Sequence, residues 1–309
     1  MEKNCRKCYL RAEQKIDADE LRLLAQYVPY KVVKFIGQSD CCVFEKKITE
    51  FQGTVVYFDI IGFTPIVVNY FNQKRDIADL SSTLSEFYSV ITETVRGFDG
   101  SIYQFAGDSI LISFEKLPEE TMEKNFKRAL TATLRSLELS DNYNSVSKDT
   151  NGFTLKPKIG MSCGTYSQIL LGHKDLFVTP ALVGQTVKSA IDCECKCKKQ
   201  ELILDEAAFE YAKKSNLEKN FIKEDDNYVF TKIEDSFFDN IEYPEYYDAE
   251  QLFEKPFFYN RLISFLNPVI RQQIENSFQG FSGEYKDITC VMTRFDGDFV
   301  KQLAVKVDE

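Results

Sequence analysis

Apolar positions from Asp19 to Ile36, "DELRLLAQYVPYKVVKFI", recur at helical spacing through Leu21, Leu23, Leu24, Val28, Val32, Val33 and Phe35. The pattern predicts helix, interrupted at Pro29. "TVVYFDI" then reads as a buried strand, rich in β-branched and aromatic residues. From Thr64 to about Phe98 the helical spacing returns in Leu80, Leu84, Phe87, Tyr88, Ile91 and Val95, with "NQKRD" as an interruption. "GSIYQFAGDSILISFE" predicts two strands around a tight Gly107-Asp108 turn. A helix over about Glu119–Leu139 and a polar loop, "SDNYNSVSKDTNG", follow. "KPKIGMSCGTYSQILLG" reads as a strand bent at Gly164, "VGQTVKSAIDCECKCKKQ" opens a helix, and "ELILD" is a further strand. The order is β-α-β-β-α-β, an α+β ferredoxin-like arrangement with N-terminal helices and a C-terminal extension.

Composition shifts divide the chain. Residues 1–50 are expected as an N-terminal helical segment and 51–220 as the main domain. Residues 221–283 are acidic and aromatic and read as an interdomain-like segment, with "NPVIRQQIENSFQGF" as a helix. Residues 284–309 contain "ITCVMTRFDG", which has the character of a new buried strand and turn.

The formal net charge is −10, and no Lys/Arg run is long enough to track a phosphate backbone, which argues against general nucleic-acid binding. No apolar run approaches the roughly 20 residues of a membrane span. The charged start "MEKNCRKCYLRAEQK" has no signal-peptide centre, so a cytoplasmic chain is expected. Nine cysteines include Cys5-x-x-Cys8, Cys41-Cys42 and the alternating Cys193, Cys195 and Cys197. One CxxC without a second pair is weak evidence for zinc, and reduced, uncoordinated thiols are expected. His173, the only histidine, reads as part of a surface turn.

One residue stands out against its surroundings. Asp59 lies in an apolar strand, where an unpaired carboxylate costs several kcal/mol. In the expected topology, the end of the first strand and the second–third hairpin lie at one sheet edge, so Asp59 and Asp108 converge. Two like charges there call for a cation, and oxygen donors without His or Cys suit Mg²⁺ or Mn²⁺. Gly62-Phe63-Thr64 opens a helix at the same place, and its free amides suit a polyphosphate. A plainer reading makes Asp59 a helix cap and Asp108 an ordinary turn residue. Either fragment alone favours that reading; both together, in this order, favour a metal–nucleotide site.

"VVYFDIIGFT" and "SIYQFAGDSILISF" resemble the two metal motifs of class III nucleotidyl cyclases, over about residues 20–215. The likeness is greatest to the first catalytic half of the soluble, bicarbonate-responsive adenylyl cyclases, and residues 284–309 resemble the start of a second half. The resemblance implies that Asp59, Asp108 and the Ile60 carbonyl hold two Mg²⁺ or Mn²⁺ ions per complete site. It further implies that amides across Ile61, Gly62, Phe63 and Thr64 hold the triphosphate of ATP, with GTP left open. In-line attack of the ribose 3′-oxygen on the α-phosphorus would then release pyrophosphate.

"LVGQTVKSAID" departs from the third motif, V-G-x-x-V-N-x-A-A-R. Lys188 and Asp192 stand where active halves carry a ribose-orienting Asn and a transition-state Arg. A complementary half, in trans or in a longer form of the chain, is therefore the implied partner. Gln104 and Ile191 stand where the bicarbonate-sensing cations are expected, which implies no bicarbonate activation. Asp298, in "RFDGD", follows a poorly matched strand and is not assigned to metal. A catalytically inactive pseudo-cyclase, acting as a nucleotide-binding or dimerisation module, is the alternative. A diguanylate cyclase or polymerase of related fold is disfavoured because the Gly-Gly-Asp/Glu-Glu-Phe signature is absent.

Overall fold

A computed structural model describes residues 18–38, 48–146, 154–173, 177–232, 258–268 and 270. The expected start of a second half at 284–309, Asp298, and the Cys5/Cys8 and Cys41/Cys42 pairs lie outside these residues, as does nearly all of the "NPVIRQQIENSFQGF" helix. The expected N-terminal helices are α1 (Ala18–Ala25) and α2 (Tyr30–Gln38), broken at Pro29. Their inner face differs slightly from the expectation: Ile36 is buried and Leu23 is exposed.

The centre of the molecule is β1 (Ile48–Ile60), buried on both faces. Val56, Phe58 and Ile60 enter one apolar cluster and Val55 the other, because successive strand residues point to opposite faces. That explains the continuous apolar wording of "TVVYFDI". Helices α3 (Phe63–Asn72) and α4 (Ile77–Gly97) lead to the hairpin of β2 (Ser101–Ala106) and β3 (Ser109–Glu115). Strand β3 lies between β1 and β2, antiparallel to both, as the ferredoxin-like reading expects.

Helix α5 (Met122–Val146) starts where the Thr121 hydroxyl accepts the Lys124 amide. It also runs seven residues beyond the expected end, through "SDNYNSV". Its serines there do not break it: the buried Ser140 hydroxyl donates to the Ser136 carbonyl one turn back. Strand β4 (Pro157–His173) then flanks β1 in antiparallel register and pairs with β5 (Phe177–Val183), which the sequence pattern did not separate. His173 belongs to that hairpin as the strand partner of Phe177, not to a turn.

Helix α6 (Gln185–Glu194), β6 (Leu202–Leu204) and α7 (Glu206–Lys214) follow, the last capped by the Asp205 carboxylate on the Ala208 amide. Strands β7 (Phe221–Glu224) and β8 (Asn227–Phe230) then extend the sheet, giving the order β2-β3-β1-β4-β6-β8-β7 with β5 on β4. The expected domain boundary at 220 therefore falls at the start of a hairpin of the same sheet. Helix α8 (Phe258–Ser264) lies within the expected interdomain segment, yet Phe258 and Leu262 are fully buried. They share a cluster with Leu24, Val32 and Val33 of α1 and α2, and the Arg261 guanidinium donates to the Ile36 carbonyl at 2.7 Å. The result has three layers: α3, α4, α5 and α7 on one sheet face, and α1, α2, α6 and α8 on the other.

Candidate active site

Asp59 is the penultimate residue of β1, and its side chain keeps 21% exposure. Asp108 occupies the two-residue turn after β2, where Gly107 takes a left-handed φ of 67°. The Tyr88 hydroxyl on α4 donates to the Asp108 carbonyl at 2.9 Å and fixes the turn to the helix layer. Topology brings the two carboxylates together, as expected from the sequence. Partial burial, followed by the negative charge of Asp59, raises the Asp108 pKa above its ordinary value. Burial, then the charges of Asp108 and Asp59, likewise push the Tyr88 phenol up.

The sequence reading did not anticipate a cation inside the site. The β1–β4 register sets Lys158 opposite Asp59, and its Nζ lies 3.2 Å from Asp59 Oδ2. The same Nζ lies 2.5 Å from Oε1 of Glu194, a carboxylate with only 6% side-chain exposure at the end of α6. Burial opposes the Lys158 charge, but hydrogen bonds to Glu194 and Asp59 outweigh it and raise its pKa. Gly160 is what lets α6 lie so close: a Cβ there would sit 1.9 Å from the Ala190 carbonyl oxygen and 2.4 Å from the Glu194 nitrogen.

Gly62 precedes α3 in a left-handed conformation, φ 72°, and no side chain caps the helix. A Cβ on Gly62 would meet nothing within 4 Å, so glycine is required by the backbone turn rather than by crowding. The first-turn amides of the helix, including Phe63 and Thr64, have no acceptor within it. Ile61 differs, because its amide donates to the Lys156 carbonyl at 2.8 Å. The expected row of phosphate-facing amides is thus one shorter, beginning at Gly62.

Lys188 and Asp192 are both exposed on α6, whereas Val187 and Ala190 are buried. Gln104 is exposed on β2, and Ile191 packs against the second apolar cluster. Among the described residues, no group of three or more His, Cys, Asp or Glu side chains is arranged to hold a metal. Two carboxylates with hard oxygen atoms, mutually repelling, nevertheless fit a divalent cation. The four cysteines among the described residues, Cys163, Cys193, Cys195 and Cys197, are free thiols.

Two solved structures share this architecture. The adenylyl cyclase CyaB from P. aeruginosa superposes with a TM-score of 0.51 at 15% identity, covering 62% of this chain and 98% of that one. A bacterial light-regulated adenylyl cyclase gives 0.55 at 17% identity, covering 79% and 66%. The fold is that of a class III nucleotidyl cyclase domain. Sequence relatives point the same way. Adenylate cyclase type 10 of Homo sapiens is 24% identical over 271 residues, 78% of this chain and 16% of that protein. The Oryctolagus cuniculus protein is 25% identical over 174 residues, 54% of this chain and 10% of that protein. Adenylate cyclase 1 of Rhizobium meliloti is 26% identical over 139 residues, 45% of this chain and 20% of that protein. The class III domain thus aligns with a small part of the much longer type 10 relatives. No protein-family model matches the chain. No helix among the described residues is long and apolar enough to cross a membrane.

Proposed function

We propose that this chain is the metal- and NTP-binding half of an adenylyl cyclase, converting ATP to cyclic AMP and pyrophosphate when a complementary half completes the site. The observation that carries the reading is the convergence of Asp59 and Asp108 beside the uncapped start of α3, with Lys188 and Asp192 exposed on α6. Asp59, Asp108 and the Ile60 carbonyl would hold Mg²⁺ or Mn²⁺. When bound, the metal lowers the pKa of the attacking 3′-hydroxyl and neutralises phosphate charge.

The amides at Gly62, Phe63 and Thr64 orient the triphosphate at the positive end of α3. Tyr88 holds the Asp108 turn in place. The complementary half supplies the ribose-orienting Asn, the transition-state Arg and base recognition. ATP is preferred by likeness to adenylyl cyclases, and GTP is a second substrate to assay. Free thiols at all four described cysteines accord with a cytoplasmic setting.

The test is to incubate the purified chain with Mn²⁺ and ATP or GTP, alone and with a complementary half. Background turnover alone and cyclic-nucleotide production in the mixture are expected. Substantial production by the chain alone would sink the half-site reading. No product in either case would favour a second reading, a pseudo-cyclase that binds nucleotide or dimerises without turnover. Lys188 and Asp192, in place of the Asn/Arg pair, are the observation that supports that second reading.

A further inference from the structure

We infer that Lys158 is a built-in counter-cation of the carboxylate pair: it holds Asp59 until a divalent metal displaces it onto Glu194, and so sets the metal affinity of the site. The inference rests on the metal-binding reading above and concerns residues that the reading does not use. Among the described residues, the Lys158 ammonium pairs with Asp59 and Glu194, and its charge also acts on Asp108. Lys158 makes two ion pairs of unequal length, 2.5 Å to the buried Glu194, whose Oε1 has no other hydrogen-bond partner among the described residues, and 3.2 Å to the more exposed Asp59.

The difference in length and in exposure decides which partner gives way. If Lys158 left Glu194, a carboxylate with 6% side-chain exposure would be stranded away from water. Leaving Asp59 strands nothing if a divalent cation takes its place. The backbone of Lys158 cannot follow such a move. Its neighbour Ile159 is fully buried and donates to the Glu201 carbonyl at 2.9 Å. Glu194 cannot follow either, because α6 is seated against Gly160. Only the flexible lysine stem can swing. Glu194 therefore acts as the parking place that makes displacement cheap, and metal arrival changes the charge held at the end of α6.

The two ends of this arrangement predict opposite effects. Mn²⁺ binding to the full-length chain, without nucleotide, is measured by titration calorimetry and by the electron paramagnetic resonance of free Mn²⁺. Lys158→Met with Glu194→Gln removes the competitor without stranding the buried acid, and Mn²⁺ affinity should rise about tenfold. Glu194→Gln alone removes the parking place and should lower affinity several-fold. Lys158→Arg should stay near the native value. A lesion that merely loosens the fold would weaken binding in both of the first two variants, and melting temperatures are recorded beside each.

Unchanged or weaker binding in the double variant would overturn the inference, as would unchanged or tighter binding in Glu194→Gln. Asp59→Asn separates the two levels of the argument. If the native chain and Asp59→Asn bind Mn²⁺ alike, or neither binds it, the metal reading fails and the role of Lys158 falls with it. If only Asp59→Asn loses binding while the Lys158 and Glu194 variants match the native chain, the metal reading survives and this inference alone fails.

Discussion

Strand β2 carries a carboxylate beyond each end, and the two ends are built on opposite principles. Six strand residues, roughly 20 Å of chain, separate them. At the Asp99 end, Lys31 and Lys34 clasp the two carboxylate oxygens at 2.8 and 2.9 Å. Arg128 donates to both oxygens of Glu120 and to the carbonyls of Phe98 and Glu115, while Lys31 lies 4.0 Å from Glu115. Three acids there face three bases. At the Asp108 end, among the described residues, the ion pairs of Asp59 and Glu194 both go to Lys158, whose charge also acts on Asp108. A matched charge cluster holds a fold together, whereas an unmatched one leaves room for a cation from outside.

Breaking the matched end should have the largest effect. Arg128→Met leaves Glu120 with only the Leu117 amide and the Asn125 side chain and removes the donor to the Phe98 and Glu115 carbonyls, and should cost about 3–5 kcal/mol in urea unfolding. At the unmatched end the loss should fall on turnover instead. Asp108→Asn should lower cyclic-nucleotide production by the complemented chain roughly 10²–10³-fold, the scale of a lost transition-state interaction. Without metal, the same change removes one of two repelling charges, so the melting temperature should hold or rise. A large fall in melting temperature would place Asp108 with the structural acids.

Gly160→Ala sharpens the contrast by moving only one end. Its Cβ would overlap the Ala190 carbonyl, so α6 must shift and carry Glu194 from Lys158, at a cost of about 1–3 kcal/mol. The Asp99 cluster lies outside this contact, so the Lys31 and Lys34 pairs should keep their hydrogen-exchange protection.

The smallest effects are in pH dependence, and their signs should differ. Burial opposes the Asp99 charge, but Lys31 and Lys34 outweigh it and hold its pKa below 3.8. Its stabilisation is therefore present above the unfolded value and is lost as pH falls through the folded one. The stability gap between the native chain and Asp99→Asn should close in that acid range. The Asp108 pKa is raised above 3.8 by burial and Asp59, so the folded state holds its proton to higher pH than the unfolded chain. Stability falls as pH climbs from 3.8 through the folded value, and Asp108→Asn should remove that slope. Melting curves across this range, without metal, measure both.

The sequence made the unmatched end partly legible. Alternation and the Gly107-Asp108 turn placed the hairpin, and the strand order then required Asp59 and Asp108 to meet. Lys158 and Glu194 stayed hidden for a physical reason. Their closeness depends on the β1–β4 register and on α6 sitting against Gly160, and both are set by tertiary packing. Glu194 also lies within "CECKC", where the alternating cysteines draw attention to thiols instead. Strands β5, β7 and β8 are short or interrupted, with Pro180 inside β5 and only the Asp225-Asp226 turn between β7 and β8. Strand β5 pairs with the adjacent β4 and β7 with the adjacent β8, and only the β8–β6 pairing reaches across α7. Ile61 is similar: only the strand end shows that Lys156 already accepts its amide.

The bond from Arg261 to the Ile36 carbonyl spans 225 positions of chain, and this has a consequence for synthesis. Ribosomes add about 5–20 residues per second, so α2 emerges roughly 10–45 s before α8 can reach it. During that interval the cluster around Val32 and Val33 lacks Phe258 and Leu262. An elongation pause before residue 258 should lengthen the exposure and increase the nascent chain's demand for chaperones.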